Sequence, residues 1–171
     1  MSEVQTITKL KRLTKKVNFN KLPKKCQRIA IVKDVIDQVR AKRFIATCGT
    51  YVSFGARDLT LGAKLLLEQQ ACRVCGIGSL FVSKCLKMNN SNIHYQTGDI
   101  HKDLADFFSI RQLELIESAF EVSYFHYGVF YIGKEEKTKS AIGFGQKYNN
   151  PEDRLVAIME NVVKNCGIFK P

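Results

Sequence analysis

Apolar residues return at helical spacing in four separate stretches of this chain, and that repetition most limits the folds open to it. Ile29, Val32, Ile36 and Val39 fall at i, i+3, i+7 and i+10, and Ile77, Leu80, Phe81, Cys85 and Met88 at i, i+3, i+4, i+8 and i+11. A third stripe, Leu113, Ile116 and Phe120, follows Ser109-Ile110-Arg111-Gln112, which has the form of a capping box. The last stretch has both ends marked. Asn150 suits a cap, Pro151 the first helical position, and Glu152 and Asp153 the positive end of the helix dipole. Leu155, Met159, Val162, Val163 and Cys166 then form its stripe, and Gly167 suits the C′ position. Leu59 to Gln70 carries a compact apolar group and reads as a further helix.

Strand signals are weaker. Phe44 to Phe54 is rich in Thr, Val, Ile and aromatics around Gly49, the pattern of a hairpin or one bent strand. Phe120 to Ile132 crowds aromatic residues together, which suits a strand or an ordered loop over the core. The expected fold is mainly α, or α+β with minor β: one compact domain of about four or five helices with one or two short hairpins or strands. It would span residues 22–171, behind a basic arm over residues 1–21. At 171 residues the length fits one domain with a core of its own. The apolar runs are far short of the ~20 residues of a membrane span, and no secretory signal is evident, so an intracellular setting is expected.

Charge is distributed very unevenly. Residues 1–43 hold thirteen Lys or Arg against Glu3, Asp34 and Asp37, a surplus of ten out of a net +11. Such asymmetry points to an anionic partner, nucleic acid or an acidic protein, rather than to a fold. Phosphate contacts need cations but no motif. The candidate contacts are therefore Lys9, Lys11, Arg12, Lys15, Lys16, Lys21, Lys24, Lys25 and Arg28.

Six cysteines in an intracellular chain of this length read as reduced thiols or metal ligands rather than as a disulfide framework. Cys72-x-x-Cys75 is the sharpest local pattern. With Cys85 and His94 it makes a conceivable zinc set, but a second close pair is missing, and buried thiols are the favoured reading. Neither a metal nor another cofactor is expected. Cys75 also opens a predicted helix, where a thiolate is stabilised, so a cysteine-dependent enzyme with a His base is the alternative; His94, His101 and His126 are available, with His126 in the aromatic stretch the named candidate. Gly76-x-Gly78-Ser79 lacks the Lys-Ser/Thr of a P-loop, and close helix packing explains its glycines equally well. The acid pairs Glu114/Glu117, Glu135/Glu136 and Glu152/Asp153 are assigned to exposed helix faces, a turn and a helix start, and none reads as an acid/base pair.

Three segments, CQRIAIVKDVIDQVRAKRFIATCGTYV (26–52), ACRVCGIGSLFVSKC (71–85) and PEDRLVAIMENVVKNCGIFKP (151–171), resemble a group of small proteins encoded by tailed phages and prophages. Gly76 and Gly78 depart from the Ala- and Leu-rich version common in that group. The resemblance implies a phage accessory setting, in the infected cell or on the virion, and carries no activity. The expected function is thus a non-enzymatic accessory protein that binds an anionic partner through its basic N-terminal region. A virion-associated structural component is the second alternative.

Overall fold

A computed structural model of the chain describes residues 18–53, 71–88, 99–123 and 135–171. Within these, six α-helices pack around a three-stranded sheet: α1 (Lys24–Arg40), α2 (Gly76–Met88), α3 (Asp99–Ala105), α4 (Ile110–Glu121), α5 (Glu135–Gly145) and α6 (Pro151–Lys164). This is the mainly α architecture with minor β that the periodicity predicts. The helix expected over 59–70 lies outside the described residues, as does the aromatic stretch from Tyr124 to Ile132. Phe120 and Glu121, expected to open that stretch, instead finish α4.

The strands are β1 (Phe44–Ala46), β2 (Val52–Ser53) and β3 (Cys72–Val74). The expected hairpin over 44–54 does not close on itself, because β3 lies between its arms. β1 pairs with β3 in parallel, Phe44 opposite Cys72 and Ala46 opposite Val74, and β2 pairs with β3 antiparallel, Val52 opposite Val74. Phe44, Ala46, Cys72 and Val74 point into the core, while Ile45 and Arg73 point out. The period of two puts every inward residue on one face.

Helix α1 packs on α6 and α2, and α4 packs on α5, α2 and α6. Ile31, Val32, Val35 and Val39 from α1, Ile77, Leu80 and Phe81 from α2, Ile116 and Phe120 from α4, and Leu155, Ile158 and Met159 from α6 share one buried core. Helix starts follow the sequence signals. Ser109 Oγ accepts from the Gln112 N–H, and Asn150 Oδ1 from the Glu152 N–H. The Gln112 side chain does not close a capping box, however. Its Oε1 accepts from the Phe169 N–H at 2.6 Å and its Nε2 donates to the Phe169 carbonyl at 3.4 Å. Asn161 grips the backbone of Lys170 in the same two-pronged way, which fixes the C-terminal segment over the core.

The end of α6 corrects one expectation. Cys166, not Gly167, occupies the left-handed C′ position (φ 59°), with its N–H on the Val163 carbonyl and the Gly167 N–H on the Val162 carbonyl. This is a Schellman motif, and it turns Cys166 outward, off the predicted stripe. Gly143-Phe144-Gly145 closes α5. Gly145 is required by contact, since a Cβ there would sit 1.9 Å from the Ala119 carbonyl oxygen.

Candidate functional site

Two regions concentrate chemistry. The first is the cationic stretch around α1. Phe19–Lys21, placed by sequence in the arm, form a 3-10 turn capped by Asn18, and Phe19 lies 6.2 Å from Phe107, ring centroid to ring centroid. Lys21, Lys24, Lys25, Lys33, Arg40, Lys42 and Arg43 are all exposed. Arg40 meets Glu160 at 2.7 Å and Lys42 meets Glu152 at 3.3 Å, pairs on the surface that contribute little. Lys24 Nζ stands 4.5 Å above the Phe107 ring. Arg28 differs from the others: half-buried, it donates from Nη1 to the Phe107 carbonyl at 3.0 Å and so ties α1 to the segment before α4. Lys9, Lys11, Arg12, Lys15 and Lys16 lie outside the described residues.

The second region is buried, and most of it was not legible in the sequence. β3 leads directly into α2 through Cys75, whose N–H bonds to the Tyr51 carbonyl and whose own carbonyl accepts from the Ser79 N–H. The first turn of α2 is wedged between the 47–52 segment and α4. A Cβ on Gly78 would stand 1.5 Å from the Tyr51 carbonyl oxygen, and one on Gly76 would stand 3.1 Å from Phe120 Cβ. The two glycines are thus explained by close packing. That approach sets Cys75 Sγ against α4, where the thiol donates to Glu117 Oε1 at 3.7 Å while Sγ accepts from the Gly78 N–H at 3.4 Å.

Glu117 is 2 % exposed and Cys75 1 %. Contrary to the sequence reading, Glu114 and Glu117 are not on an exposed face; Glu114 is buried as well, paired with Arg111 at 3.1 Å. One turn beyond Glu117, both oxygens of the half-buried Glu121 accept from the Gly49 N–H, at 3.1 and 2.9 Å. Gly49 is needed there for its left-handed backbone (φ +73°) rather than for space. Cys48 Sγ lies 3.9 Å from the Phe120 carbonyl and 3.9 Å from Arg154 Nη1. Arg154 reaches across from α6, donating to the Phe120 carbonyl at 2.7 Å and to the Tyr148 carbonyl at 2.9 and 3.2 Å. Cys75, Glu117 and Glu121 each bring a ligand-type atom within 4.8 Å of the other two.

The electrostatics follow from the geometry. Burial first, then the charge of Glu121, push the Glu117 carboxyl up to about 8, against the opposing hydrogen bond from Cys75. Burial and then Glu117 raise the Cys75 thiol well above its ordinary value. Burial also raises Glu121, although the Gly49 N–H, Cys48 and Arg154 pull it back. The thiolate of the nucleophile alternative needs the opposite environment. Among the described residues, Cys75 meets a carboxyl, not an imidazole; His101 is buried on α3, and the proposed base His126 lies outside the described residues, as does His94.

Of the zinc set suggested by spacing, Cys72, Cys75 and Cys85 do not gather into one ligand group among the described residues, and His94 lies outside those residues. Cys72 is buried in β3, its thiol pushed up to about 12 by burial, and Cys85 is buried on α2, pushed up to about 11 by burial. Cys75 belongs instead to the cluster with Glu117 and Glu121, residues that no sequence motif joins to it. An acid spacing of i, i+4 in an otherwise apolar stripe was the one available signal. Among the described residues, no helix is long and apolar enough to cross a membrane. No protein-family model, curated protein or solved structure matches the chain.

Proposed function

We propose that the protein is a non-enzymatic phage accessory factor that binds nucleic acid through its basic N-terminal segment and the adjoining cations of α1. One observation carries this reading: ten of the eleven net positive charges fall in residues 1–43, and seven of the cations between Lys21 and Arg43 are exposed. Among the described residues, only two of those seven meet a carboxylate. Exposed cations of one sign, left without acidic cover, supply sequence-independent phosphate affinity and fast, salt-sensitive association.

Removal of residues 1–17 leaves the Phe19 contact with Phe107 in place, so the truncated protein should stay folded. Fluorescence anisotropy with a labelled duplex and a labelled single strand is expected to give weaker binding and a flatter salt slope for the truncated chain. Equal affinities and slopes for the two chains would remove nucleic acid as the partner and leave an acidic protein in its place. Arg28→Ala should lower stability, since its guanidinium holds the Phe107 carbonyl. The enzyme alternative is decided by a short alkylation pulse. Cys26, Cys48 and Cys166 are exposed and should label first, with Cys75 protected until the protein unfolds. Early modification of Cys75 would replace the binding reading with a catalytic one.

A further inference from the structure

The buried cluster at the junction of β3, α2 and α4 has no part in the binding of an anionic partner, and its composition is costly for a fold. Cys75 and Glu117 are almost wholly shut away from water, and among the described residues Glu117 Oε2 has no hydrogen-bond partner. A buried carboxyl oxygen left unpaired costs stability in either protonation state. Ionised, the oxygen carries charge that nothing compensates; protonated there, it is a donor without an acceptor. The fold nonetheless brings Glu117 to within 4.8 Å of both a thiol and a second carboxylate, each atom of which can ligate a metal.

We propose that Cys75 Sγ, Glu117 and Glu121 bind one divalent transition-metal ion of the zinc or iron(II) class. One thiolate and two carboxylates form a mixed sulfur and oxygen set that suits such borderline ions better than the oxygen-only preference of magnesium or calcium. The charges agree. Three anionic ligands, one divalent ion and the Arg154 guanidinium, which flanks Glu121 and Cys48, balance to zero. The surroundings also resemble an outer shell: Gly49 holds Glu121 from behind through its N–H, and the Gly78 N–H holds the sulfur. Cys48, exposed and beside Glu121, marks the side open to solvent.

The test uses the full chain, stripped with a chelator and titrated with cobalt(II), whose thiolate charge-transfer absorption reports sulfur ligation directly. The expected result is saturation at one equivalent with that band present, reversed by zinc. Cys75→Ser should abolish the band. Glu121→Gln, at a half-buried position that need not perturb the core, should weaken binding by more than the ~10–100-fold typical of an outer-shell change. Cys85→Ser serves as the control and should titrate like the parent. Absence of saturable binding in the parent chain overturns the proposal. So does a band that survives Cys75→Ser, which would place the sulfur ligand at an exposed cysteine, and so does unchanged affinity in Glu121→Gln. If Cys75→Ser does not fold, the parent titration and Glu121→Gln decide the matter alone.

Discussion

Helices α4 and α6 are of similar length and both carry acids, but they place them by opposite rules. α6 opens with Glu152 and Asp153 in its first turn, behind an Asn150 cap, where the dipole and the free N–H groups favour negative charge. α4 has no acid in its first turn; Glu117 and Glu121 sit toward its C-terminal end, where the dipole opposes them, and Glu117 is buried. Local physics accounts for every charge at the start of α6. It accounts for neither Glu117 nor Glu121. Contacts from outside the helix meet these acids instead, the Cys75 thiol at Glu117 and the Gly49 N–H at Glu121.

The contrast is broken most forcibly where the two helices are joined. Arg154 on α6 satisfies the Phe120 carbonyl at the end of α4 and the Tyr148 carbonyl before α6. Arg154→Met keeps much of the volume and removes all three bonds. Chemical denaturation should show a loss of about 3 kcal/mol, the scale of removing charge-assisted bonds to backbone carbonyls. A loss within ~0.5 kcal/mol, the range of ordinary surface changes, would mean that the link is dispensable.

Glu117 gives the next largest effect, and its sign is opposite to that of an ordinary acid. Its carboxyl titrates near 8 in the folded chain, above the 4.5 of an unperturbed glutamate. The folded state therefore binds more protons than the unfolded state between those values, and stability falls as pH rises through that window. In the metal-free protein, Glu117→Gln should remove this decline, so the variant gains at least about 2 kcal/mol on the parent between pH 5 and pH 8. Parallel stability curves for the two proteins over that range would show that Glu117 is ionised throughout.

These two effects also mark where the sequence stops being informative. Stripes, caps and helix ends were readable because each rests on neighbours in the chain, as with Ser109 and Asn150, whose side chains accept from N–H groups two or three residues on. The sheet was only partly readable. Segment 44–54 has strand composition, but nothing local says that Cys72–Val74 enters between its arms. The glycines of α2 were seen, and close packing was among their readings, yet their partners lie far along the chain, the Tyr51 carbonyl for Gly78 and Phe120 for Gly76. Glu117 was assigned to solvent because a helix period fixes a face but not what covers it. Cys75 was singled out for its helix start, a local signal, while the carboxyl that its thiol meets lies on α4, far along the chain.

The cap of α6 provides a smaller test. Asn150 Oδ1 accepts from the Glu152 N–H at 2.7 Å, so Asn150→Ala should cost about 1 kcal/mol in thermal or chemical unfolding, and Asn150→Ser much less. Equal losses from both substitutions would assign the effect to something other than the cap.

The smallest effect isolates the dipole itself. Glu152 lies in the first turn of α6 and also meets Lys42 at 3.3 Å across the surface. Glu152→Gln preserves shape and removes only charge, so it should cost about 0.5 kcal/mol at low salt, from the dipole and the ion pair together. Lys42→Met removes the ion pair alone, and the double variant separates the two contributions by a thermodynamic cycle. Both effects act through exposed charges and should fade as ionic strength approaches 1 M, where screening reaches ~3 Å. A loss that persists at high salt would mean that Glu152 is held by packing rather than by charge. The start of α6 would then no longer be the purely electrostatic counterpart against which α4 stands out.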